Sequence, residues 1–440
     1  MSQLQQSPTE EKWPVGKSAA IFTTVVIFLL ALMDQCDRFI MASLLPFIKA
    51  DLNLTDAQAG GLVSIVNLSI ALLVIPCGYI VDKWSRKKMV ALMGFVWSVA
   101  CGAGAFCSNL SQLLISRFFV GAGESGYNPA ASALLAAQYP KRHLSKAMSI
   151  VQFGMTFGVP LGMALGGILG TKFGWRHSLG IVAIPGLFCA LLALFFKDYS
   201  NSAAAQAECG AASVVTSKKA STLAHLKVLF KSPSFWFILL AASGYMLVAN
   251  TGSVWRPMYF VRQGGMTPAM AGTVSSIMLL IALIGALCAG VIIDLLRKKF
   301  DQAAAIVAFI GLLFGAGIEM YCYSGAVKIG STTQIALFTI AGFGSSMCNV
   351  ANMTMAAALV GAKIRATALG LLVGAQNLFG MAMGPLLAGI LSDHFGGSLQ
   401  ETLFHLVFVY VLPLFCYLML AAFTYKRDLA RKIDEEAVFC

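Results

Sequence analysis

Twelve long apolar runs, separated by short loops that are alternately basic and poor in basic residues, leave this 440-residue chain few ways to fold. The runs lie near 19–43, 57–81, 88–108, 111–136, 145–171, 177–196, 234–261, 268–294, 302–323, 332–360, 364–392 and 401–425. A helix that crosses the hydrocarbon core of a bilayer needs about 20 mostly apolar residues. The bilayer offers the backbone no hydrogen-bond partner, and a continuous helix satisfies its backbone internally. Strands fit poorly, because the runs are continuous and do not alternate over about ten residues. Only 11% of the residues are charged, against roughly 25% in a soluble domain. The expected fold class is an all-α membrane protein with twelve transmembrane helices in two six-helix pseudo-repeated bundles.

The basic residues set the orientation. Taking the N-terminus as inside, the inside segments hold 23 of the 31 lysines and arginines. The outside loops keep Lys49, Lys172, Arg176, Arg262 and Lys328, and Arg38, Arg117 and Arg256 fall at membrane depth. The positive-inside rule then places both termini in the cytoplasm, with the chain in the inner (plasma) membrane. The first run is followed by Asp34 to Arg38 and not by a small-residue cleavage site, so it is expected to be an uncleaved first helix. Residues 198–221 are rich in Ala, Ser and Thr without an apolar period, which marks a linker between halves. The expected organisation is a cytoplasmic tail (1–18), a bundle (19–196), a cytoplasmic linker (197–233), a second bundle (234–425) and a cytoplasmic tail (426–440). Internal repetition supports it. Gly78-Tyr-Ile-Val-Asp82 recurs as Gly290-Val-Ile-Ile-Asp294, and Gly166-Gly-Ile-Leu-Gly170 as Ala388-Gly-Ile-Leu-Ser392.

Several chemistries find no footing. There is no phosphate-binding P-loop, no HExxH and no GxSxG, and the five histidines form no ligand-spaced pair. The eleven cysteines contain no CxxC, so neither a metal site nor a disulfide framework is expected. No enzyme activity, cofactor or metal is expected. The net charge of +12 lies in loops beside apolar runs, which fits contact with membrane lipids and not with nucleic acid.

The segment Gly78-Tyr-Ile-Val-Asp-Lys-Trp-Ser-Arg-Lys-Lys88 resembles the signature loop of the major facilitator superfamily, with a weaker copy from Gly290 to Arg297. The resemblance implies a gating loop built on Gly78, Asp82, Arg86 and Asp294. Asp37-Arg38, Arg117-Phe-Phe-Val-Gly-Ala-Gly-Glu124, and Arg365-Ala-Thr-Ala-Leu-Gly370 through Gly384-Pro385 to Ser392-Asp393 look like spinster-like transporters. The first two patterns, with Trp255-Arg-Pro-Met-Tyr259, also look like the anion:cation symporters.

Ionisable groups at membrane depth cost about 2.5–3.5 kcal/mol each on insertion scales and mark function by default. The first helix carries Asp34, Asp37 and Arg38, and the fourth carries Arg117 and Glu124 two turns apart on one face. Arg38 suits a substrate carboxylate, because its guanidinium fork matches one and stays charged. Asp37 and Glu124 are the expected proton-coupling acids, with Asp34 and Arg117 completing a charge network. The alternative is a permanent ion network that only holds helices in register. Arg117 is either part of the site or a structural partner of Glu124. Arg256 is either a second anion contact or a snorkelling residue, and Glu319 has no basic neighbour in sequence. Tyr127, Tyr259, Gln376 and Asn377 are further substrate-contact candidates, with Asn128, Gln152, Asn250, Asn349 and Asn352 as softer ones. Polar groups of this kind bond either a ligand or another helix.

The function expected is proton-coupled symport of a small organic anion, such as a carboxylate or sugar acid, by alternating access in a monomer. The alternative is proton-driven efflux of amphipathic or lysolipid-like compounds. Gly154-Met-Thr-Phe-Gly-Val-Pro-Leu-Gly162 only partly matches the drug-antiporter motif of the superfamily, which favours symport.

Overall fold

The computed structural model describes residues 13–197, 232–360 and 365–429, and every regular element among them is helical. The expected linker falls almost wholly outside these residues, and of the expected tails only 13–18 and 426–429 are described. In the first half, α1 (Lys17–Leu52), α2 (Asp56–Lys83), α3 (Arg86–Gly104) and α4 (Leu110–Gln138) are followed by a helical stretch Lys141–Ala193. That stretch breaks at Gly174 (φ 74°, ψ 165°), a backbone region open essentially to glycine alone. The break separates α5 (141–173) from α6 (175–193). Gly154 packs on Phe28 of α1, while Ala190 packs on Gly94 of α3 beside Leu30, so the chain returns to its starting depth. The second half has α7 (Pro233–Arg262), α8 (Pro268–Arg297), α9 (Ala303–Tyr323), α10 (Thr332–Leu359), α11 (365–394) and α12 (Leu399–Leu429).

Local signals fix the helix starts. Thr55 forms a capping box with Gln58, and Ser85, Asn109, Thr267, Ser331 and Ser398 each cap the first turn of the helix they precede. Pro233 and Pro268 occupy first-turn positions of α7 and α8, where the missing N–H costs nothing. Nine helices among the described residues are long and apolar enough to cross a membrane. One of these, Arg142–Ala193, is the pair α5 and α6. The remaining passes are α3, which opens on three basic residues, and α4, which carries Arg117 and Glu124 in mid-helix. Large apolar side chains such as Ile75, Leu287, Val291 and Ile310 point outward and exposed, as lipid contact allows.

The halves press tightly together at one end. Gly60 of α2 lies so close to the Pro385 carbonyl of α11 that a Cβ would overlap it, and Gly167 of α5 sits equally tightly on Pro268 of α8. At the opposite end, a Cβ added at Gly78, Gly290, Gly370 or Gly374 would meet nothing within 4 Å. Among the described residues, the packing is therefore looser toward the end that holds the basic α2–α3 loop. Midway along the seam, α11 is π-helical over Gln376–Ala382. There the Met381 carbonyl accepts from Asn67 Nδ2 of α2 at 3.3 Å and from Asn250 Nδ2 of α7 at 3.1 Å.

Candidate functional site

Helices α1 and α4 bring five charged side chains together in the first half. Arg38 Nη2 donates to Glu124 Oε2 in an ion pair. Arg117 Nη1 lies 3.6 Å from Asp37 Oδ1, which also accepts from the Cys101 thiol at 2.6 Å. Asp34 Oδ2 accepts from Gln35 Nε2 at 2.9 Å, while Asp34 Oδ1 and Glu124 Oε1 are buried without a hydrogen-bond partner among the described residues. Asp34, Asp37, Arg117 and Glu124 are at most 2% exposed, while the Arg38 side chain keeps 12%. The spacing along α4 lines Arg117 up with Glu124, but the structure pairs each with a residue of α1.

One consequence is electrostatic. Three acids face two guanidinium groups, which leaves one negative charge without a partner in a low-dielectric interior. One proton held on the cluster would balance it. Asp37, held by Arg117 and Cys101, is the acid furthest committed to fixed partners.

A second charged pair lies in the other half. Arg256 Nη2 of α7 is 2.9 Å from Glu319 Oε1 of α9, and its Nε donates to the Tyr323 hydroxyl at 3.3 Å. Its guanidinium carbon stands 4.7 Å from the centre of the Phe338 ring, a cation–π contact. Sequence spacing gives no hint of this pair, whose members are 63 residues apart. The one available signal was parity, since Arg256 and Glu319 are the isolated mid-membrane charges of that half.

The remaining candidates divide. Tyr127 is fully buried, donates to the Ile27 carbonyl at 2.9 Å and packs edge-on against Trp97. The Tyr259 hydroxyl accepts from Gln334 Nε2 at 3.0 Å. Gln376 lies in the π-helical turn of α11, its Nε2 3.4 Å from Asn349 Oδ1. Asn377 bonds the Val373 carbonyl of its own helix. Of the expected gating loop, Gly78 faces open space, Arg86 donates to the Ala133 carbonyl at 3.3 Å, and Asp294 is exposed. The side chain of Asp82 lies outside the described residues.

A third cluster was not among the expected sites, although Ser392-Asp393 end the spinster-like pattern. At the closed end, Asp56 of α2 is buried and ion-paired with Lys49. It also accepts both Nη groups of Arg262 from α7 at 2.7 Å and the Ser392 hydroxyl from α11 at 2.6 Å. Asp393 of α11 reaches back to accept the backbone N–H groups of Asp56 and Ala57 at 2.8 and 2.9 Å. It thereby caps a helix of the other half, where the helix dipole favours an anion. Four charged side chains (Lys49, Asp56, Arg262 and Asp393) and the Ser392 hydroxyl thus clasp the two halves together.

The chain matches the family model described as Major Facilitator Superfamily over residues 27–331 and 265–437. Protein spinster homolog 1 of Xenopus laevis is 25% identical over 400 residues, covering 86% of this chain and 74% of that protein. The probable L-galactonate transporter of Escherichia coli (strain K12) is 23% identical over 280 residues, covering 62% of this chain and 61% of that protein. The fold is similar to that of a bacterial homologue of the human lysosomal transporter spinster, crystallised in an inward-facing and occupied conformation. The TM-score is 0.80 over 94% of this chain and 99% of that one, at 21% identity.

Proposed function

We propose that this chain, which belongs to the major facilitator superfamily and is a multi-pass membrane transporter and not an enzyme, couples the uptake of a small organic anion to protons. The reading rests on a buried cluster of three acids and two arginines, whose charges balance only when one proton resides on it. In the empty carrier, Glu124 occupies Arg38 and the resident proton keeps the cluster neutral. A second proton, taken up by Glu124, releases Arg38. The freed guanidinium then binds a substrate carboxylate bidentately, and the loaded cluster is neutral again. Asp37 stays paired with Arg117 throughout. The similarity to a probable L-galactonate transporter supports an anionic substrate of the sugar-acid class.

This charge balance predicts one proton per monovalent anion and no net charge moved. In proteoliposomes, uptake of a labelled sugar acid should rise with an inside-alkaline gradient and stay unchanged when a potassium–valinomycin potential is imposed. Uptake that follows the potential would break the neutral cycle. Transport of lysophospholipid with no carboxylate uptake would overturn the anion reading.

The basic end of the molecule is proposed to face the cytoplasm of the inner membrane, which makes this conformation inward-facing. A cysteine placed at Ser324, in the α9–α10 loop, should react with a membrane-impermeant maleimide in intact cells in a background lacking other cysteines. A lone Cys209 in the linker should not. The reverse pattern would invert the topology.

A further inference from the structure

The second half contains a cavity that the proton and anion chemistry above does not use. It offers about 90 Å³ to water centres, several times the ~10–15 Å³ that one water needs on that measure. Arg256, Glu319, Tyr245, Tyr410 and Ser275 line it, and Met163 of α5 forms its wall toward the first half.

Its electrostatics differ from those of the α1–α4 cluster. Arg256 and Glu319 neutralise each other at 2.9 Å, so the cavity has neither a spare positive charge for an anion nor a spare acid for a proton. An entering anion would sit beside Glu319 and meet repulsion. An entering cation would find that carboxylate already held by a guanidinium.

What the cavity has in surplus is hydrogen-bonding capacity. The Ser275 hydroxyl is buried without a partner. Neither Tyr245 nor Tyr410 makes a side-chain hydrogen bond among the described residues. Glu319 engages Arg256 through Oε1 alone. A purely apolar ligand would leave these groups desolvated and unpaired, which is costly. The rings of Tyr245 and Tyr410 stack nearly parallel at 6.4 Å and present a flat apolar wall beside the hydroxyls. Flat apolar surface edged with donors and acceptors complements a carbon chain or ring bearing several hydroxyl groups.

We infer that this cavity is the subsite for the hydroxyl-bearing part of the substrate, so that the carrier selects polyhydroxylated carboxylates over carboxylates of equal size without hydroxyls. The inference rests on the organic-anion reading, and it divides the work between the halves. Arg38 in the first half takes the carboxylate, and the second half reads the hydroxyls. Sites that hydrogen-bond a substrate hydroxyl discriminate strongly against analogues that lack it.

The test uses initial rates of pH-driven glucuronate uptake in proteoliposomes, with unlabelled glucuronate or cyclohexanecarboxylate as competitor. Both probes have one carboxylate on a six-membered ring, and only the first carries hydroxyls. In the wild-type carrier glucuronate should compete at least about tenfold better. Tyr410→Phe with Ser275→Ala, which removes two hydroxyls and little volume, should weaken glucuronate about tenfold or more. It should leave competition by cyclohexanecarboxylate unchanged, at unaltered expression. Equal competition in the wild type, or equal weakening of both competitors in the variant, would overturn the subsite while leaving anion transport standing. Absence of any pH-driven carboxylate uptake would overturn the anion reading, and the subsite with it.

Discussion

Asp34→Asn combined with Glu124→Gln should convert the carrier into an obligate exchanger. In the proposed cycle both acids take protons beside Arg38, and the double substitution removes every group there that titrates with the cycle. Arg117 and Asp37 still neutralise each other, so the empty cluster carries the unbalanced charge of Arg38. Moving that charge through the low-dielectric interior is unfavourable, and only the anion-loaded form returns readily. Counterflow of labelled anion should therefore proceed, while net uptake against a gradient stops. With one proton per anion, two pH units can support at most about 100-fold accumulation, tenfold for each 1.4 kcal/mol. The double variant should hold none of it. Either single variant keeps one titrating acid near Arg38 and should keep some coupling. Asp37→Asn is the contrasting case, because it strands Arg117 in the interior. Breaking a buried pair costs about 3–5 kcal/mol, so its main effect should be less folded protein. Full pH-driven accumulation by the double variant would remove both acids from the coupling mechanism.

The second large effect concerns the closed end. Asp56→Asn should release the clasp between halves and shift the resting carrier toward the opposite conformation. The carboxylate accepts from Arg262, Lys49 and Ser392, and an amide leaves two cations facing each other at the seam. The penalty falls on the clasped conformation alone, since both cations regain water once that end opens. Arg262 and Lys49 are each 26% exposed, which screens part of it. About 2–3 kcal/mol then remains of the 3–5 expected for a fully buried pair, a shift of roughly 30–150-fold. A cysteine at Ser64, buried in the seam two turns below, reports it. Labelling of Ser64→Cys by an impermeant maleimide should rise more than about tenfold in the Asp56→Asn background, with transport falling in parallel. Adding Arg262→Gln removes the stranded charge and should restore much of the protection, as expected of coupled neighbours. Unchanged labelling in Asp56→Asn would show that the clasp does not hold the halves together.

These residues also show what a sequence can disclose. The helices were legible because each apolar run had to be about one bilayer thick, and because lysine and arginine favour alternate loops. The break between α5 and α6 fell where the runs 145–171 and 177–196 part, although the helical stretch is nearly continuous across Gly174. The membership of the first charge cluster was legible because each charge at mid-membrane depth is expensive. Its pairings were not. Helical spacing links Arg117 to Glu124, but packing of α1 against α4 interposes Asp37 and Arg38 and exchanges the partners. Tyr127 follows Glu124 by one turn and yet reaches a backbone carbonyl of α1. Asp56 was the least legible. An acid in the first turn of a helix is ordinary, and nothing near it in sequence announces Arg262, Ser392 and Asp393 from the other half.

The carbonyl of Met381 gives the molecule the proportions of a balance. Asn67 meets it at the middle of α2, eleven residues from Asp56 at one end and eleven from Gly78 at the other. At 1.5 Å per residue the arms are each about 16 Å long. A beam resting on its midpoint exchanges equal travel between its tips, so whatever gap opens at Asp56 must close at Gly78 by a similar distance. The open space around Gly78 leaves room for such a swing. A side chain added there would be invisible to the present conformation and would act as a stop on the return swing.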